Sequence, residues 1–220
     1  MSRDVILGRI RAAREALAWA APQGAEPGTA APASDALPAL PPAQRFPDIV
    51  GLFVQRARQV GMLVDIVASP AEAARRVASL CGERGMRRAA AWATPDLAAL
   101  GDVLAAQGIE VLAPGSSVEQ VATADLGVTG AEWGIAETAT LVLPSGPQQP
   151  RLASLLPPVH VAVLAADRIV PDLHALFARV GFLPSALTLI TGPSRSADIG
   201  LTPVLGAHGP MEVSVVLIRS

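Results

Sequence analysis

Apolar residues occur along the chain in short runs that predict strands at 62–68, 88–93, 109–112, 125–129, 138–143, 159–165, 187–191 and 212–218. Between several of them the apolar positions recur every three or four residues, which predicts helices over 70–83, 95–106, 118–123, 151–156 and 170–180. Repeated strand, helix, strand order points to an α/β domain on a mostly parallel, mixed sheet covered on both faces. The segment 125–143 reads as two strands separated by a turn at Trp133-Gly134, so an antiparallel or mixed section is expected there. In such sheets ligands sit beyond the carboxyl ends of the strands, and function is sought in those loops.

The first 45 residues follow a different pattern. Residues 4–20 place Val5, Ile6, Ile10, Ala13 and Leu17 at helical spacing, with Asp4 as a cap and Arg9, Arg11 and Arg14 on the other side. Residues 21–45 hold six Pro and eight Ala with no apolar period, the composition of a partly extended linker. The chain therefore divides into an amphipathic helix at 1–20, a linker at 21–45 and an α/β domain at 46–220.

Its 220 residues suffice for one domain with an appendage. With 51% hydrophobic against 16% charged residues, disorder throughout is excluded. The longest charge-free apolar stretches, 152–166 and 180–194, are 15 residues each, short of the roughly 18 a spanning helix needs. A net charge of −2 with no dense Arg run leaves nucleic acid without an electrostatic footprint. All 17 basic residues are Arg, and Tyr is absent, which excludes a Schiff-base lysine, a P-loop lysine and a tyrosine general acid. The sole cysteine, Cys81, lies at helical spacing and reads as a buried small hydrophobe; disulfides, zinc fingers and iron–sulfur ligation within this chain are excluded. The N-terminus has no continuous apolar core of a secretory signal, so a cytoplasmic location is expected.

Three segments offer chemistry. In the first, 130–146, Glu132 and Glu137 stand five apart in a Gly-punctuated loop beside Thr138 and Thr140; such carboxylates act as acid, base or nucleophile when partly buried, or simply bond neighbouring amides and arginines. In the second, a strand runs into Gly192-Pro193-Ser194-Arg195-Ser196-Ala197-Asp198, with Ile199, Leu201 and Leu205 expected in a short helical turn. Free N–H groups at that corner, the Ser194 and Ser196 hydroxyls and the Arg195 fork fit a carboxylate or phosphate, while a plain Ser-rich cap would look the same. In the third, His208 stands between Gly206 and Gly209 before the last strand, where an uncrowded imidazole suits proton transfer or anion contact. His160 and His174 show no metal-ligand spacing with it, and no metal is expected.

Taken together, GAEWGIAETATLVL, RLASLLPP, TGPSRSADI and LGAHGP resemble the signature blocks of the LutC/YkgG family, the LUD-domain proteins of bacterial lactate utilisation. The resemblance runs from Phe46 to Ser220 in the correct order, with Ser196 standing where the family often has Thr. It implies a three-layer α/β/α fold similar to the NagB/RpiA/CoA-transferase group. It also implies a share in oxidising L-lactate to pyruvate beside two iron–sulfur partner proteins; with one Cys, no nucleotide fingerprint and no clustered metal ligands, no redox centre or cofactor is expected in this chain itself. The resemblance supplies no catalytic residue; on residue chemistry alone, Glu137 and His208 are the candidate catalytic residues. Glu132, Thr138, Thr140, Ser194, Arg195, Ser196, Asp198, Gly206 and Gly209 are the candidate ligand contacts, and Glu132, Glu137, Arg195 and His208 are expected to converge in one cleft at the strand carboxyl ends. Two other readings stay open: a free-standing transferase or ligase using Glu137 on an acyl or sugar-phosphate substrate, and a non-catalytic assembly subunit.

Overall fold

Predominantly apolar strands are stable in a parallel sheet only when covered on both faces, and here they form the centre of the molecule. The computed structural model of the chain describes residues 48–180, 184, 186–197, 203–206 and 208–219; the expected N-terminal helix and linker lie outside them. Six strands, β1 (Leu63–Val67), β2 (Arg88–Ala91), β3 (Glu110–Leu112), β4 (Leu126–Gly130), β7 (Val159–Ala165) and β12 (Glu212–Ile218), form one sheet in the order β1-β12-β7-β4-β2-β3. Every pairing in it is parallel. The antiparallel or mixed section expected at 125–143 is segregated into a second sheet, β8 (Ile169–Val170), β5 (Trp133–Ile135), β6 (Thr140–Pro144) and β9 (Leu187–Ile190).

Two helices, α2 (Pro70–Arg84) and α3 (Leu100–Ala106), cover one face of the large sheet. Helix α2 starts where Ser69 accepts from the Glu72 amide at 3.2 Å and Pro70 takes the first turn, and stops at Gly85, left-handed with φ 65°. Its buried stripe of Ala73, Ala74, Val77, Ala78, Leu80 and Cys81 is built largely from small residues, which brings the helix close to the sheet. Val163 and Leu164 are consecutive on β7 and so face opposite ways; Val163 lies with α2, while Leu164 meets Gly134 of the second sheet. Helix α1 (Ile49–Gln59) packs on that second face through Phe53, which also closes on Gly134. The three layers are thus helices, parallel sheet, and a layer shared by α1, the second sheet, the one-turn α4 (Val118–Val121) and a 3-10 turn at Arg151–Ser154. A Cβ at Gly127 on β4 would lie 1.8 Å from the Ala153 carbonyl, so only glycine permits that turn to seat on the sheet.

Several expected boundaries change. Trp133-Gly134 is strand β5 rather than a turn, since its backbone pairs with both β6 and β8. The helix expected over 95–106 is a 3-10 turn, Pro95–Leu97, followed by α3. The helix expected over 170–180 begins only at Leu173 (α5, Leu173–Arg179), capped by Asp172, because Ile169 and Val170 are spent on β8. Beyond β9 the chain forms an antiparallel hairpin, β10 (Arg195–Ala197) with β11 (Pro203–Leu205), where a helical turn was expected. Leu205 is therefore in a strand, while Ile199 and Leu201 lie outside the described residues.

Candidate functional site

The order of the large sheet marks one crevice. From β2 the chain crosses outward to β3 over the face carrying α3, and from β4 it turns the other way into the second sheet on the opposite face. Connections that diverge like this leave a gap between the carboxyl ends of the two strands, here β2 and β4. A cavity of about 240 Å³ opens at that point, lined by Trp92, Thr94, Pro95 and Asp96 after β2, Gly130, Ala131 and Glu132 after β4, with Gln149 and Arg168.

Its charged centre is Arg168, at the end of the 3-10 turn that follows β7 (Ala166–Arg168). One guanidinium nitrogen, Nη1, lies 3.6 Å from Asp96 Oδ2 and 3.8 Å from Glu132 Oε2. Both approaches are long for an ion pair, and the three side chains remain part-exposed. Glu132 is fixed by its backbone, whose amide donates to the Val142 carbonyl at 2.9 Å. Trp92 is fixed by its indole N–H, donated to the Pro150 carbonyl at 3.1 Å. The Thr94 hydroxyl is out of solvent yet has no hydrogen-bond partner, a cost that a ligand group would relieve. A Cβ at Gly130 would sit 3.8 Å from it, so the small residue keeps the crevice open. Arg168 can hold a carboxylate, Glu132 can accept a hydroxyl proton, and Thr94 and Gln149 can donate or accept beside them.

The residues singled out in the sequence do not converge. Glu132 lies at the carboxyl end of the sheet. Ser194, Gly206, His208 and Gly209 gather in the loop that enters β12, at the amino end. There Ser194 donates its amide to Pro210 (2.9 Å), accepts from the Gly206 amide at its carbonyl (3.0 Å), and accepts from the His208 amide at its hydroxyl (3.3 Å). The N–H groups assigned to an anion at this corner are thus partly used to close the hairpin. Arg195 is exposed, its guanidinium 3.5 Å from the Val60 carbonyl, also at the amino end. Ser196 lies in β10, and Asp198 is outside the described residues.

Glu137 occupies a third place, in the turn between β5 and β6, with its side chain exposed and its amide donating to Pro171 at 3.0 Å. Beside it Thr138 and Thr140 share a 2.7 Å hydrogen bond and Thr140 continues to Thr191 at 2.6 Å, which ties that turn to the end of β9. Ala139, buried between the two threonines, is held at φ 53°.

Trp92, Thr94, Asp96, Gln149 and Arg168 were not singled out in the sequence. The signal was the strand-end rule itself, applied to the loops after β2 and β7, which carry Trp92-Ala93-Thr94-Pro95-Asp96 and Asp167-Arg168 without the glycines that drew attention elsewhere. The titratable groups buried elsewhere are chemically quiet. Burial pushes the Cys81 thiol up to about 11, with nearby Asp125 adding to it. His160 is fully buried and held down to about 4 by desolvation, its Nε2 2.9 Å from Thr129 Oγ1. Among the described residues, no three His, Cys, Asp or Glu side chains are grouped as metal ligands would be.

The fold is a parallel three-layer α/β domain with a polar cleft at the divergence of its strand order, and comparison with known proteins gives the family. The LUD domain family matches residues 50–218, and the chain belongs to it. It is 38% identical over 109 residues to lactate utilization protein C of Halalkalibacterium halodurans, covering 46% of this chain and 47% of that protein. To lactate utilization protein C of an Exiguobacterium strain it is 37% identical over 113 residues, covering 48% and 49%. The chain thus spans about half the length of the curated relatives it matches. A DUF162 family crystal structure from Deinococcus radiodurans superposes with a TM-score of 0.56 at 26% identity, over 77% of this chain and 96% of that one. Among the described residues, no helix is long and apolar enough to cross a membrane.

Proposed function

We propose that the chain is a cytoplasmic subunit of a lactate-oxidising assembly, binding a 2-hydroxy acid or its 2-oxo product in the cleft between β2 and β4. The observation that carries this reading is Arg168, loosely held between Asp96 and Glu132 beside the unpartnered Thr94 hydroxyl. A 2-hydroxy acid supplies what the cleft lacks: a carboxylate able to form two short bonds to the guanidinium, and an adjacent hydroxyl within the reach of Glu132 and Thr94. Oxidation to the 2-oxo acid breaks the O–H and Cα–H bonds and releases two protons and two electrons; iron–sulfur clusters in partner subunits would take the electrons, and the Cα proton would leave to solvent through the open cleft. Glu132 is placed to take the hydroxyl proton. The names of the relatives support lactate as the physiological context.

The test joins two measurements. Calorimetric titration of L-lactate and pyruvate into wild type and Arg168→Ala examines the cleft, and affinity capture from the native host with iron analysis examines the partners. Unchanged binding in Arg168→Ala would overturn the cleft, and capture without iron-containing proteins would overturn the assembly.

A further inference from the structure

An apolar slot of about 480 Å³ adjoins the polar cleft, and Trp92, Thr94 and Pro95 are walls of both. The slot lies between the loops leaving β2 and β3, with small residues such as Ala98 and Gly101 where large side chains would close it, and Leu97, Leu100 and Val111 around it. No charged residue is among its described lining. The Trp92 N–H is already spent on Pro150, so Thr94, at the junction, supplies the one uncommitted polar side chain there.

A three-carbon acid seated on Arg168 leaves this slot to water, although its walls favour hydrocarbon. In a 2-hydroxy acid the substituent leaves the carbon next to the carboxylate, so a group bound beside Arg168 enters whatever space adjoins the cleft, and the slot shares three walls with it. An uncharged lining excludes a second acidic or phosphorylated end. We propose that the cleft takes a 2-hydroxy acid with a bulky apolar substituent, phenyl or branched alkyl, its carboxylate on Arg168 and its side chain in the slot. This rests on the Arg168 reading above, with lactate the smaller and more weakly bound member of the same 2-hydroxy acid class.

Gly101 provides a clean obstruction. It is in α3, a Cβ built on it meets nothing within 4 Å, and replacing a helical glycine favours the helix, so Gly101→Leu is expected to fold while filling the slot. The experiment is calorimetric titration of L-lactate, L-3-phenyllactate and 3-phenyl-1-propanol, which lacks the carboxylate, into the full chain as wild type, Gly101→Leu and Arg168→Ala. Phenyllactate is expected to bind wild type at least about tenfold more tightly than lactate, through the apolar area it buries. Gly101→Leu should abolish that advantage with lactate binding unchanged, and Arg168→Ala should weaken both acids. Lactate binding as tightly as phenyllactate, or Gly101→Leu weakening both acids alike, would overturn the substrate class; the Arg168 cleft itself survives that result if Arg168→Ala still weakens lactate. No binding of either acid, or a silent Arg168→Ala, overturns both. Phenylpropanol binding as tightly as phenyllactate would mean that the slot serves an unrelated apolar ligand, which also overturns the proposal.

Discussion

His160 Nε2 and Thr129 Oγ1 lie 2.9 Å apart between the neighbouring parallel strands β7 and β4, with both side chains fully buried. The imidazole is neutral because burial holds it down to about 4, against about 6.5 in an unfolded chain. Between those values the unfolded state binds the extra proton, so the stability from this site is complete above about pH 6.5 and is lost as pH falls through 4. The full loss is about 3 kcal/mol. Melting temperatures measured from pH 7.5 to 4 should fall more steeply for wild type than for His160→Leu; parallel curves would show that another group governs acid unfolding.

Arg168→Ala should weaken binding of a small carboxylate by about 1.5–3 kcal/mol, toward the lower figure because the guanidinium is 37% exposed. Asp96→Asn removes a competitor for the same guanidinium and should tighten binding severalfold. Arg195→Ala, at the other end of the sheet, should leave it unaltered. Titration of pyruvate into the three variants checks the ordering, and a loss at Arg195 comparable to that at Arg168 would move the site to the hairpin.

Gly127→Ala places a methyl carbon against the Ala153 carbonyl, where 1.8 Å is available. The 3-10 turn must lift from β4, at a cost of about 1–3 kcal/mol or more. Chemical denaturation should report it. A neutral substitution would mean that the turn is free to shift.

Ser69→Ala removes the acceptor for the Glu72 amide at the start of α2 and should cost about 1 kcal/mol, while Ser69→Asp should be near neutral. The midpoint of urea unfolding distinguishes them.

What could be read from the sequence followed the strength of local signals. Val159–Ala165 and Glu212–Ile218 are mostly apolar runs, broken only by His160, Glu212 and Ser214, in strands covered on both faces, and the predicted boundaries match the fold. Trp133–Ile135 is three residues around a glycine, indistinguishable from a turn until its partners β6 and β8 are known. Helix α1 has no counterpart among the predicted elements, because the apolar signal of Phe53, Val54 and Ala57 on its buried face is short, although Asp48 caps it. For the site, Glu132 stood out as a carboxylate in a glycine loop. Arg168 did not, because what makes it notable is the approach of Asp96 and Glu132 from two other loops, a proximity that only the strand order creates.

The same strand order bears on how the chain is made. Leu63 pairs with Ser214, so β1 acquires its hydrogen-bonded neighbour only when a strand about 150 residues later has emerged from the ribosome. Until then β1 has no strand on either edge, and β7 waits for the same strand on its side away from β4. Large loops must close before these pairings are rewarded, so completion of the sheet is a slow, late step of folding. Substitutions in β12 are therefore expected to reduce the yield of folded protein in the cell more than equally destabilising ones in β2 or β3.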